Sequence, residues 1–456
     1  MDKQEMAGMK IGWISLGCPK NQVDTEYMIG LSEEAGFART ANPEEADVLV
    51  INTCSFIESA TQESIDTILE FAAYKQKNCR LLVVAGCLPQ RYRQELVKAL
   101  PEVDLWVGTG EYARLPELLT AALEKKGAAR LVADAPAGWL PPSLADRPLT
   151  TPPHYAYVKI AEGCNHHCLY CIIPKLKGEY RSRKPESIIA EVENLLARGV
   201  KEINLVAQDT TAYGTDFDGA FNLSSLLSRL DKLEGDFWIR LFYTYPSLIN
   251  EELLRTIRDS RHICHYLDIP LQHVSSAVLK RMGRRGTEGE IRALIGRVRQ
   301  YLPEVAIRST FIVGYPGETE EDFAQLLAFL AEVRLDWVGV FPYYREEGTA
   351  AARLPGQVHH ATKKRRARLV LEQQQNHSAA KNRALIGREL RVLLEKEKAP
   401  GWWEGRSYRE APGIDGVVQV QVTADQRNRL APGTFVQVQI EAAGPYELSG
   451  KIKTNG

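Results

Sequence analysis

The chain has 456 residues, of which 44% are hydrophobic and 25% are charged, a composition typical of a globular protein with several domains. It contains no run of about 18 apolar residues, and its first residues, MDKQEMAGMK, lack the apolar core of a secretory signal. We therefore expect a cytoplasmic protein that neither spans a membrane nor is secreted. Eight cysteines are too few for a disulfide scaffold, and clustered cysteines in a reducing cytoplasm more often bind metal or take part in catalysis.

The formal net charge is −1, but the charge is unevenly distributed. Residues 1–150 carry 15 basic and 21 acidic side chains, whereas residues 382–456 carry 11 basic and 9 acidic ones. An acidic N-terminal part does not suit a nucleic-acid backbone. It would tolerate a basic protein partner, and it is equally typical of an ordinary solvated surface.

The first part of the chain alternates between short apolar runs and amphipathic stretches. Four runs have the pattern of buried parallel strands: 11–17, 47–53, 80–86 and 103–109. Residues 58–73 have the pattern of an amphipathic helix. The alternation predicts a doubly wound α/β domain over residues 9–135, and a proline-rich stretch predicts a linker over residues 136–153.

The alternation then continues in a second domain, predicted over residues 154–381. Its six candidate strands are 155–160, 202–207, 237–242, 265–270, 306–314 and 337–344. Six βα units predict a partial TIM-type barrel that is open at one side. Thr319, three residues before Asp322, gives the capping-box pattern that opens a helix at about 320–332. Residues 382–450 alternate apolar and polar side chains between glycine-bearing turns, which predicts a small antiparallel β-barrel.

Three cysteines of the first domain share one position in the predicted βα repeat. Cys18, Cys54 and Cys87 each come just after a strand, so we expect them to converge at the carboxyl edge of the sheet. Cys79 begins its strand and should not join them. Three converging thiols indicate zinc, or a [4Fe–4S] cluster with one open iron, and the alternative is three ordinary core thiols.

The second domain contains the pattern C-x3-C-x2-C, formed by Cys164, Cys168 and Cys171 after its first strand. These residues lie at the carboxyl end of the barrel, where barrel enzymes build their sites. Three thiols can hold an iron–sulfur cluster and leave one iron open. His166 and His167 lie inside the pattern, either as alternative ligands in a zinc site or as loop residues beside the cluster.

A C-x3-C-x2-C loop after the first strand of such a barrel resembles the radical S-adenosylmethionine enzymes. The order of a three-cysteine α/β domain, a radical barrel and a small β-barrel is similar to that of the methylthiotransferases, whose last domain is named TRAM. The resemblance covers residues from about 9 to 450. The stretches closest to the RimO type are SLGCPKNQVDTE (15–26), INTCSFIESA (51–60), AEGCNHHCLYCIIP (161–174), DIPLQHVS (268–275), RSTFIVGYPGETEEDF (308–323) and GRSYREAPGIDG (405–416).

The alternative is the MiaB type, which acts on a tRNA adenosine. Its first motif has Gln-Met-Asn at residues 19–21, and its barrel motif has Pro-Val-Gln-Ser at residues 270–273, both unlike this chain. One departure from the RimO pattern is Gly413, where an acidic residue is expected.

The resemblance implies S-adenosylmethionine and two [4Fe–4S] clusters, one on Cys18, Cys54 and Cys87 and one on Cys164, Cys168 and Cys171. The barrel cluster would cleave S-adenosylmethionine to a radical that takes hydrogen from the β-carbon of an aspartate. The target would be small-subunit ribosomal protein twelve, free or on the ribosome, and the N-terminal cluster would supply the sulfur. An electron donor such as flavodoxin is implied as a further partner, whereas tRNA is implied only by the alternative.

Several polar residues near predicted strand ends are candidates for contact with S-adenosylmethionine or substrate. They are Gln208, Asp209, Gln272, His273 and Arg308, with Arg181 and Arg183 after the cysteine loop. Each could instead satisfy local backbone or surface contacts. The remaining cysteines, Cys79 and Cys264, are predicted core thiols. Two further alternatives are an electron carrier, which would normally have four cysteines per cluster, and a structural zinc protein.

Overall fold

The structure is a computed structural model that describes residues 8–92, 94–124, 130–132, 137–141 and 147–453. No helix within these ranges is long and apolar enough to cross a membrane.

The N-terminal domain is built on a six-stranded parallel sheet with the strand order β2-β1-β3-β4-β5-β6. Its strands are β1 (Lys10–Ser15), β2 (Ala38–Thr40), β3 (Val48–Thr53), β4 (Leu81–Gly86), β5 (Leu105–Val107) and β6 (Arg130–Val132). Its helices are α1 (Pro19–Glu34), α2 (Glu58–Ala72), α3 (Cys87–Tyr92), α4 (Gln94–Ala99) and α5 (Leu115–Glu124). The four predicted strands are confirmed as β1, β3, β4 and β5. Of these, β3 and β4 are the fully buried apolar runs that are typical of parallel sheets.

The central domain is a sheet of six parallel strands in chain order, with two short strands at its cysteine loop. Its strands are β7 (Tyr155–Lys159), β8 (Ala161–Glu162), β9 (Arg181–Ser182), β10 (Glu202–Val206), β11 (Trp238–Leu241), β12 (Ile263–Asp268), β13 (Ala306–Val313) and β14 (Trp337–Pro342). Strands β7 and β14 form the two edges, so the barrel is open at one side, as predicted.

The helices of this domain cover the outside of the barrel, except the first, which lies at the interface with the N-terminal domain. They are α6 (Ile173–Lys177), α7 (Pro185–Ala197), α8 (Leu223–Leu230), α9 (Glu251–Asp259), α10 (Ser276–Arg281), α11 (Glu288–Tyr301), α12 (Glu320–Val333) and α13 (His360–Arg383). The capping box predicted from Thr319 and Asp322 is present at the start of α12. Apolar faces of these helices pack on the strands and form the largest hydrophobic core of the protein.

The segment predicted as a linker is described in part, and its described residues are packed rather than free. Trp139 is buried and makes edge-to-face contacts with Tyr27 and Tyr112, at centroid distances of 5.8 and 5.3 Å. Arg147 is buried and binds Glu26 on α1. The chain between the first two domains therefore contributes to the interface that it crosses.

The C-terminal domain is a closed barrel of five strands: β15 (Glu389–Ala399), β16 (Trp402–Arg406), β17 (Val417–Gln421), β18 (Phe435–Ala443) and β19 (Glu447–Ile452). A four-residue helix, α14 (Ala424–Arg427), lies between β17 and β18. Four strand pairs are antiparallel, but β17 and β19 pair in parallel. The predicted small antiparallel β-barrel is confirmed, and its single parallel pair has a simple cause, because strand direction cannot alternate all the way around a closed ring of five.

A segment between β16 and β17 enters the interior of the central barrel from the amino-terminal ends of its strands. Arg406 lies 2.5 Å from a carboxylate oxygen of Glu202, and Nη1 of Arg240 donates to the carbonyl of Tyr408 at 2.6 Å. These contacts are buried. The C-terminal domain thus closes one end of the central barrel, and the end with the cysteine loop faces the N-terminal domain.

Candidate iron–sulfur and S-adenosylmethionine site

Three cysteines follow three neighbouring strands of the N-terminal sheet. Cys54 and Cys87 come directly after β3 and β4, and Cys18 lies three residues beyond β1. Strands β1, β3 and β4 are adjacent, so the three cysteines stand along one stretch of the carboxyl edge. Cys54 and Cys87 are buried, and Cys18 is partly exposed.

Glycines allow the turns at this edge to pack closely. Gly17 has a φ of +89°, and a Cβ at this position would lie 2.5 Å from Cβ of Cys54. Gly86 has a φ of +104°, and its Cβ would lie 2.4 Å from Oδ1 of Asn52. A side chain at either position would force the backbone beside a cysteine to move.

Two buried asparagines that the sequence analysis did not single out hold the same strand ends together. Nδ2 of Asn21 donates to the carbonyls of Leu16 and Thr53, at 3.0 and 2.9 Å. Nδ2 of Asn52 donates to the carbonyl of Asn21 and to the hydroxyl of Thr25, at 2.9 Å each. An asparagine inside the apolar run VLVINT was the available sequence signal, because a buried amide needs partners.

The thiols of this set are strongly affected by burial. Burial raises the pKa of Cys87 to about 12 and also raises the pKa of Cys54, while the nearby Lys177 ammonium opposes both shifts. Without a bound metal these thiols are therefore protonated near neutral pH. A metal that binds them must displace their protons.

The second set of cysteines lies on one loop between β8 and α6: Cys164, Cys168 and Cys171. All three are partly exposed. The backbone N–H of Cys164 donates to the carbonyl of Gly178 at 3.1 Å. Gly163 begins the loop with a φ of +81°, and a Cβ there would lie 1.9 Å from the carbonyl oxygen of Glu179. The loop is thus curled against the end of α6 by backbone contacts.

Burial also dominates the acidity of the thiols in this loop. It raises the pKa of Cys164 to about 11 and the pKa of Cys171 to about 12. A backbone N–H directed at the sulfur lowers the pKa in each case, and for Cys171 the donor is Ile173, 3.5 Å from Sγ. The loop therefore supplies donors that stabilise thiolates once protons are lost.

Arg284 is a charged group beside these thiols that the sequence analysis missed. Its Nη1 lies 3.8 Å from Sγ of Cys168, and its guanidinium lies 4.5 Å from the ring centroid of Tyr245. Nη2 donates to the carbonyl of Pro270 at 2.9 Å. A buried cation at this distance stabilises a thiolate and so favours metal binding. In RMGRRG (281–286) nothing distinguishes it from its neighbouring arginines.

His166 and Asp209 support the cysteine loop together. Nε2 of His166 lies 2.7 Å from Oδ2 of Asp209, and the imidazole stacks on Tyr245 with centroids 3.8 Å apart. Oδ1 of Asp209 accepts hydrogen bonds from the hydroxyl of Thr211 and the N–H of Ala212. A direct contact between Asp209 and a cofactor stays a prediction.

Gln208, Gln272 and His273 lie at the carboxyl ends of β10 and β12. Nε2 of Gln208 donates to Glu162 at 2.5 Å, while its Oε1 is buried and has no partner among the described residues. Nδ1 of His273 accepts from the N–H of Ser275 at 3.0 Å, and its buried Nε2 likewise has no described partner. Gln272 has a φ of +70°. The unpaired Oε1 of Gln208 fits a site that a polar cofactor completes, whereas the charged side chains that act on His273 are Asp322, Arg366 and Arg281, on the outer helices. A direct contact of either residue with a cofactor stays a prediction.

The structure gives intramolecular partners to the three arginines that the sequence predicts as contacts: Arg181, Arg183 and Arg308. Nη1 of Arg308 lies 3.0 Å from Oδ1 of Asp268, and its Nε lies 3.3 Å from Oδ1 of Asp415. Arg183 is buried and lies 2.6 Å from a carboxylate oxygen of Glu191. Arg181 donates hydrogen bonds to two backbone carbonyls. Their contact with cofactor or substrate stays a prediction.

The two remaining cysteines are buried in the core, as predicted. Cys79 precedes β4, at the opposite end of the strand from Cys87, and its Sγ lies 3.4 Å from the carbonyl of Leu81. Cys264 is an interior residue of β12. Neither belongs to the N-terminal triad of Cys18, Cys54 and Cys87 or to the barrel triad of Cys164, Cys168 and Cys171. Both serve as natural controls for these six cysteines.

The two triads approach each other across the domain interface. Cys87 packs against Ile172 and Leu176, and Ile172 directly follows Cys171. The hydroxyl of Thr109, two residues after β5, donates to the carbonyl of Leu176 at 2.7 Å. One short helix, α6, therefore connects the barrel cysteine loop to the cysteine edge of the N-terminal sheet.

Four buried charges link the same two parts of the protein. Nζ of Lys177 lies 3.0 Å from Asp24 on α1 and 3.6 Å from Glu162, which immediately precedes the cysteine loop. Nζ of Lys159 binds Asp24 and lies 2.6 Å from Glu162. Although burial alone would raise the pKa of Glu162, the two lysines hold it well below its usual range. The interface is thus held by ionised groups as well as by packing.

The donor set of each triad fits an iron–sulfur cluster. Among the described residues, no three His, Cys, Asp or Glu side chains converge closely enough to hold a single metal ion. In a [4Fe–4S] cluster each cysteine binds a different iron, so its ligands stand farther apart than those of one ion. A cavity of about 460 Å³ opens beside the barrel loop and is lined by His167, Cys168, Cys171, Lys175 and Arg353, among others.

Three family models match successive parts of the chain. They are the family described as uncharacterized protein family UPF0004, over residues 10–108, the radical SAM superfamily, over residues 158–330, and the TRAM domain, over residues 386–452.

Solved structures share the fold at low sequence identity. A radical S-adenosylmethionine methyltransferase, TsrM from Kitasatospora setae, superposes with a TM-score of 0.56 at 15% identity, over 73% of this chain and 72% of that one. The cobalamin-dependent S-adenosylmethionine radical enzyme OxsB superposes with a TM-score of 0.52 at 12% identity, over 82% and 62%. Together with the superfamily match and the cysteine loop, the fold defines a radical S-adenosylmethionine enzyme, which uses that cofactor and an iron–sulfur cluster.

Full-length relatives narrow the class. The ribosomal protein uS12 methylthiotransferases RimO of Geobacter sulfurreducens and Pelotomaculum thermopropionicum are 46% and 47% identical to this chain. Each alignment covers 97% of this chain and at least 98% of the relative. The chain belongs to the RimO family of radical S-adenosylmethionine methylthiotransferases.

Proposed function

We propose that this enzyme adds a methylthio group to the β-carbon of an aspartate in small-subunit ribosomal protein twelve, using two [4Fe–4S] clusters. The observation that carries the proposal is that Cys87 shares one buried cluster with Leu176 and with Ile172, the residue after Cys171. This contact brings a triad that could hold sulfur-bearing iron next to a triad that could hold S-adenosylmethionine. The names of the full-length relatives support the ribosomal target.

In this proposal the barrel triad holds the cluster that binds S-adenosylmethionine, and the N-terminal triad holds the second cluster. The bound cofactors supply one-electron chemistry able to functionalise an unactivated C–H bond. The protein's own part is to position the two clusters and the cofactor relative to one another. Arg284 stabilises the thiolate of Cys168, and the paired His166 and Asp209 fix the loop. Gln208, which binds Glu162 beside the cysteine loop, offers a buried polar atom to the cofactor or substrate.

The reaction also needs electrons from outside the enzyme. We propose a flavodoxin-type protein as the donor, and reconstitution with reduced flavodoxin in place of a chemical reductant tests this role. A ribosomal target would place the reaction in the cytoplasm.

The test is an anaerobic reconstitution with iron and sulfide, followed by incubation with S-adenosylmethionine, reductant and ribosomal protein twelve. We expect about eight irons per chain, and a methylthio mass gain on one aspartate. Replacing Cys164, Cys168 and Cys171 with alanine should leave about four irons and abolish cleavage of S-adenosylmethionine. Replacing Cys18, Cys54 and Cys87 should also leave about four irons, but cleavage should persist without methylthiolation.

Cys79→Ala and Cys264→Ala are the matched controls, because both thiols are buried outside the triads. Both variants should retain the full iron content. Eight irons with cofactor cleavage but an unmodified protein, together with a modified tRNA, would contradict the proposed target. About four irons in the unmodified enzyme, or zinc in place of iron, would contradict the two-cluster assignment.

A further inference from the structure

Lys20 occupies an unusual position at the interface that contains the cysteines. It lies in the first turn of α1, two residues after Cys18, and is half-buried. Its Nζ lies 3.5 Å from the ring centroid of Tyr243, which follows β11 at the carboxyl end of the central barrel. The ammonium group of the N-terminal domain is therefore placed at the mouth of the radical barrel.

The aromatic residue beneath this ammonium is held in a strained conformation. Tyr243 has a φ of +57°, a left-handed value that a bulky residue rarely adopts. Its N–H donates to Oδ2 of Asp268 at 3.0 Å, and its carbonyl accepts from the N–H of Thr210 at 3.1 Å. Strain of this kind is maintained where a side chain must point in a fixed direction. Here it presents the ring face to Lys20.

The charges around Lys20 do not balance. Lys159 and Lys177 share two carboxylates, Asp24 and Glu162, which leaves no described carboxylate within ion-pair distance of Lys20. Three lysines thus stand beside two acids. A cation–π contact compensates a partly buried cation only in part. The nearby charge of Glu162 and the side chain of Tyr243 favour the ammonium form of Lys20, but Glu162 is already shared by Lys159 and Lys177, so Lys20 has no described carboxylate of its own.

We propose that Lys20 binds the carboxylate of the target aspartate and that Tyr243 orients the ammonium for this contact. The inference rests on the proposed function and adds to it the group that recognises the substrate. An ammonium that fixes the γ-carboxylate also fixes the β-carbon one bond away, at the interface shared by the two triads. An uncharged base, such as adenine, would not satisfy this lysine.

The test measures binding of ribosomal protein twelve to the anaerobically reconstituted holoenzyme. Two forms of the target are compared, one with the native aspartate and one with asparagine at that position. The unmodified enzyme should bind the aspartate form about tenfold to a hundredfold more tightly. Lys20→Gln should bind both forms equally, and Lys20→Arg should keep part of the preference. Lys77→Gln is the matched control, because Lys77 is an exposed lysine of the same domain that also lies over a tyrosine ring, that of Tyr74.

The same experiment separates the other roles that Lys20 could have. An unchanged preference in Lys20→Gln would overturn the assignment. The assignment would also be overturned if Lys20→Gln lost iron or changed the cluster spectrum but kept the preference for aspartate. The lysine would then serve the cluster on Cys18. If the unmodified enzyme neither binds nor modifies ribosomal protein twelve in either form, the proposed function itself fails, and the assignment fails with it. That outcome is recognised in the unmodified enzyme before any variant is compared.

Discussion

Asp415 of the C-terminal barrel forms an ion pair with Arg308 inside the radical barrel, with Oδ1 and Nε 3.3 Å apart. The other oxygen of Asp415 accepts hydrogen bonds from the hydroxyl of Tyr266 and the N–H of Ala411, at 2.8 and 3.0 Å. Arg308 in turn lies 3.0 Å from Asp268. Asp268 also accepts a hydrogen bond from the backbone N–H of Tyr243 at the barrel mouth. The C-terminal domain is therefore connected to the interface that contains the cysteines.

This buried carboxylate predicts a pH dependence of stability. Burial raises the pKa of Asp415 from 3.8 to about 6, although Arg308 opposes the shift. The folded state therefore holds this proton more tightly than the unfolded state, so stability from this group is complete below about pH 4 and is lost as pH rises through about 6. Two pKa units correspond to roughly 3 kcal/mol.

We expect Asp415→Asn to remove this component. The Tm of the variant minus that of the unmodified protein should therefore increase as the pH rises from about 4 to about 7. Thermal unfolding at several pH values measures the difference. Asp425→Asn is the control, because Asp425 is an exposed acid of the same domain. Parallel Tm curves for the Asp415→Asn variant and the unmodified protein would contradict the prediction.

A second buried ion pair joins the N-terminal domain to the central barrel. Arg91 on α3 and Glu346 beyond β14 lie 3.2 Å apart, with side chains only 6% and 7% exposed. Glu346 also accepts from the N–H of Glu58 at the start of α2 at 2.8 Å. We expect Arg91→Met to destabilise the protein by about 3–5 kcal/mol, because it leaves a buried carboxylate without its cation. Chemical denaturation, with hydrogen exchange at residues 55–58, measures the effect.

Two further variants test whether the destabilisation by Arg91→Met comes from the unpaired buried charge. Arg91→Met combined with Glu346→Gln should be less destabilised than Arg91→Met alone, because no unpaired charge remains. Arg39→Met removes an exposed pair of 3.7 Å with Glu33 and should change stability by about 1 kcal/mol or less. Equal effects of Arg91→Met and Arg39→Met would show that the interface does not depend on the buried pair.

The fold could be predicted where one physical pattern covers a whole element. The buried parallel strands are continuous apolar runs, and the cysteines follow them at intervals of about one βα repeat. The three-residue strands β2 and β6 are not predicted, because three residues are too few to show a period, whereas the equally short β5 lies within the longer apolar run 103–109. The packing of Trp139 was also missed, because composition alone describes a proline-rich stretch as a linker.

The candidate site could be predicted only as far as its local motifs. The six triad cysteines are each marked by their place after a strand or within one short pattern. Arg284, Lys177 and Asp24 reach the same region from distant parts of the chain. Each has the sequence surroundings of an ordinary surface charge, and only tertiary packing shows its buried partner. Charge inventories such as the one around Lys20 therefore need the structure.

Gly163 provides a direct test of the barrel cysteine loop. Alanine at this position must adopt a φ of +81°, and its Cβ would meet the carbonyl oxygen of Glu179 at 1.9 Å. We expect Gly163→Ala to distort the loop, to lower the iron content of the reconstituted protein to about four per chain, and to abolish cleavage of S-adenosylmethionine. Iron analysis and a cleavage assay measure both effects.

The control for this variant separates the steric clash from backbone strain. Gly199 has a φ of +90° and no atom within 4 Å of an added Cβ, so Gly199→Ala introduces the left-handed strain alone. It should destabilise the protein by about 1–2 kcal/mol and leave the iron content unchanged. Full iron content in Gly163→Ala would show that the loop does not depend on the close approach.

Arg284 should set the electrostatic environment of the barrel cluster. Its guanidinium is 3.8 Å from Sγ of Cys168, and removing a nearby positive charge disfavours the more negative, reduced form of a cluster. We expect Arg284→Met to lower the midpoint potential, measured by a redox titration of protein that lacks the N-terminal triad. Arg281→Met is the control, because Arg281 donates to the carbonyl of Gly317 and contacts no thiol. A potential that Arg284→Met leaves unchanged, or one that Arg281→Met lowers equally, would show that the charge of Arg284 does not act on the cluster. In that case its bond to Pro270, which fastens the loop after β12, would be its main contribution.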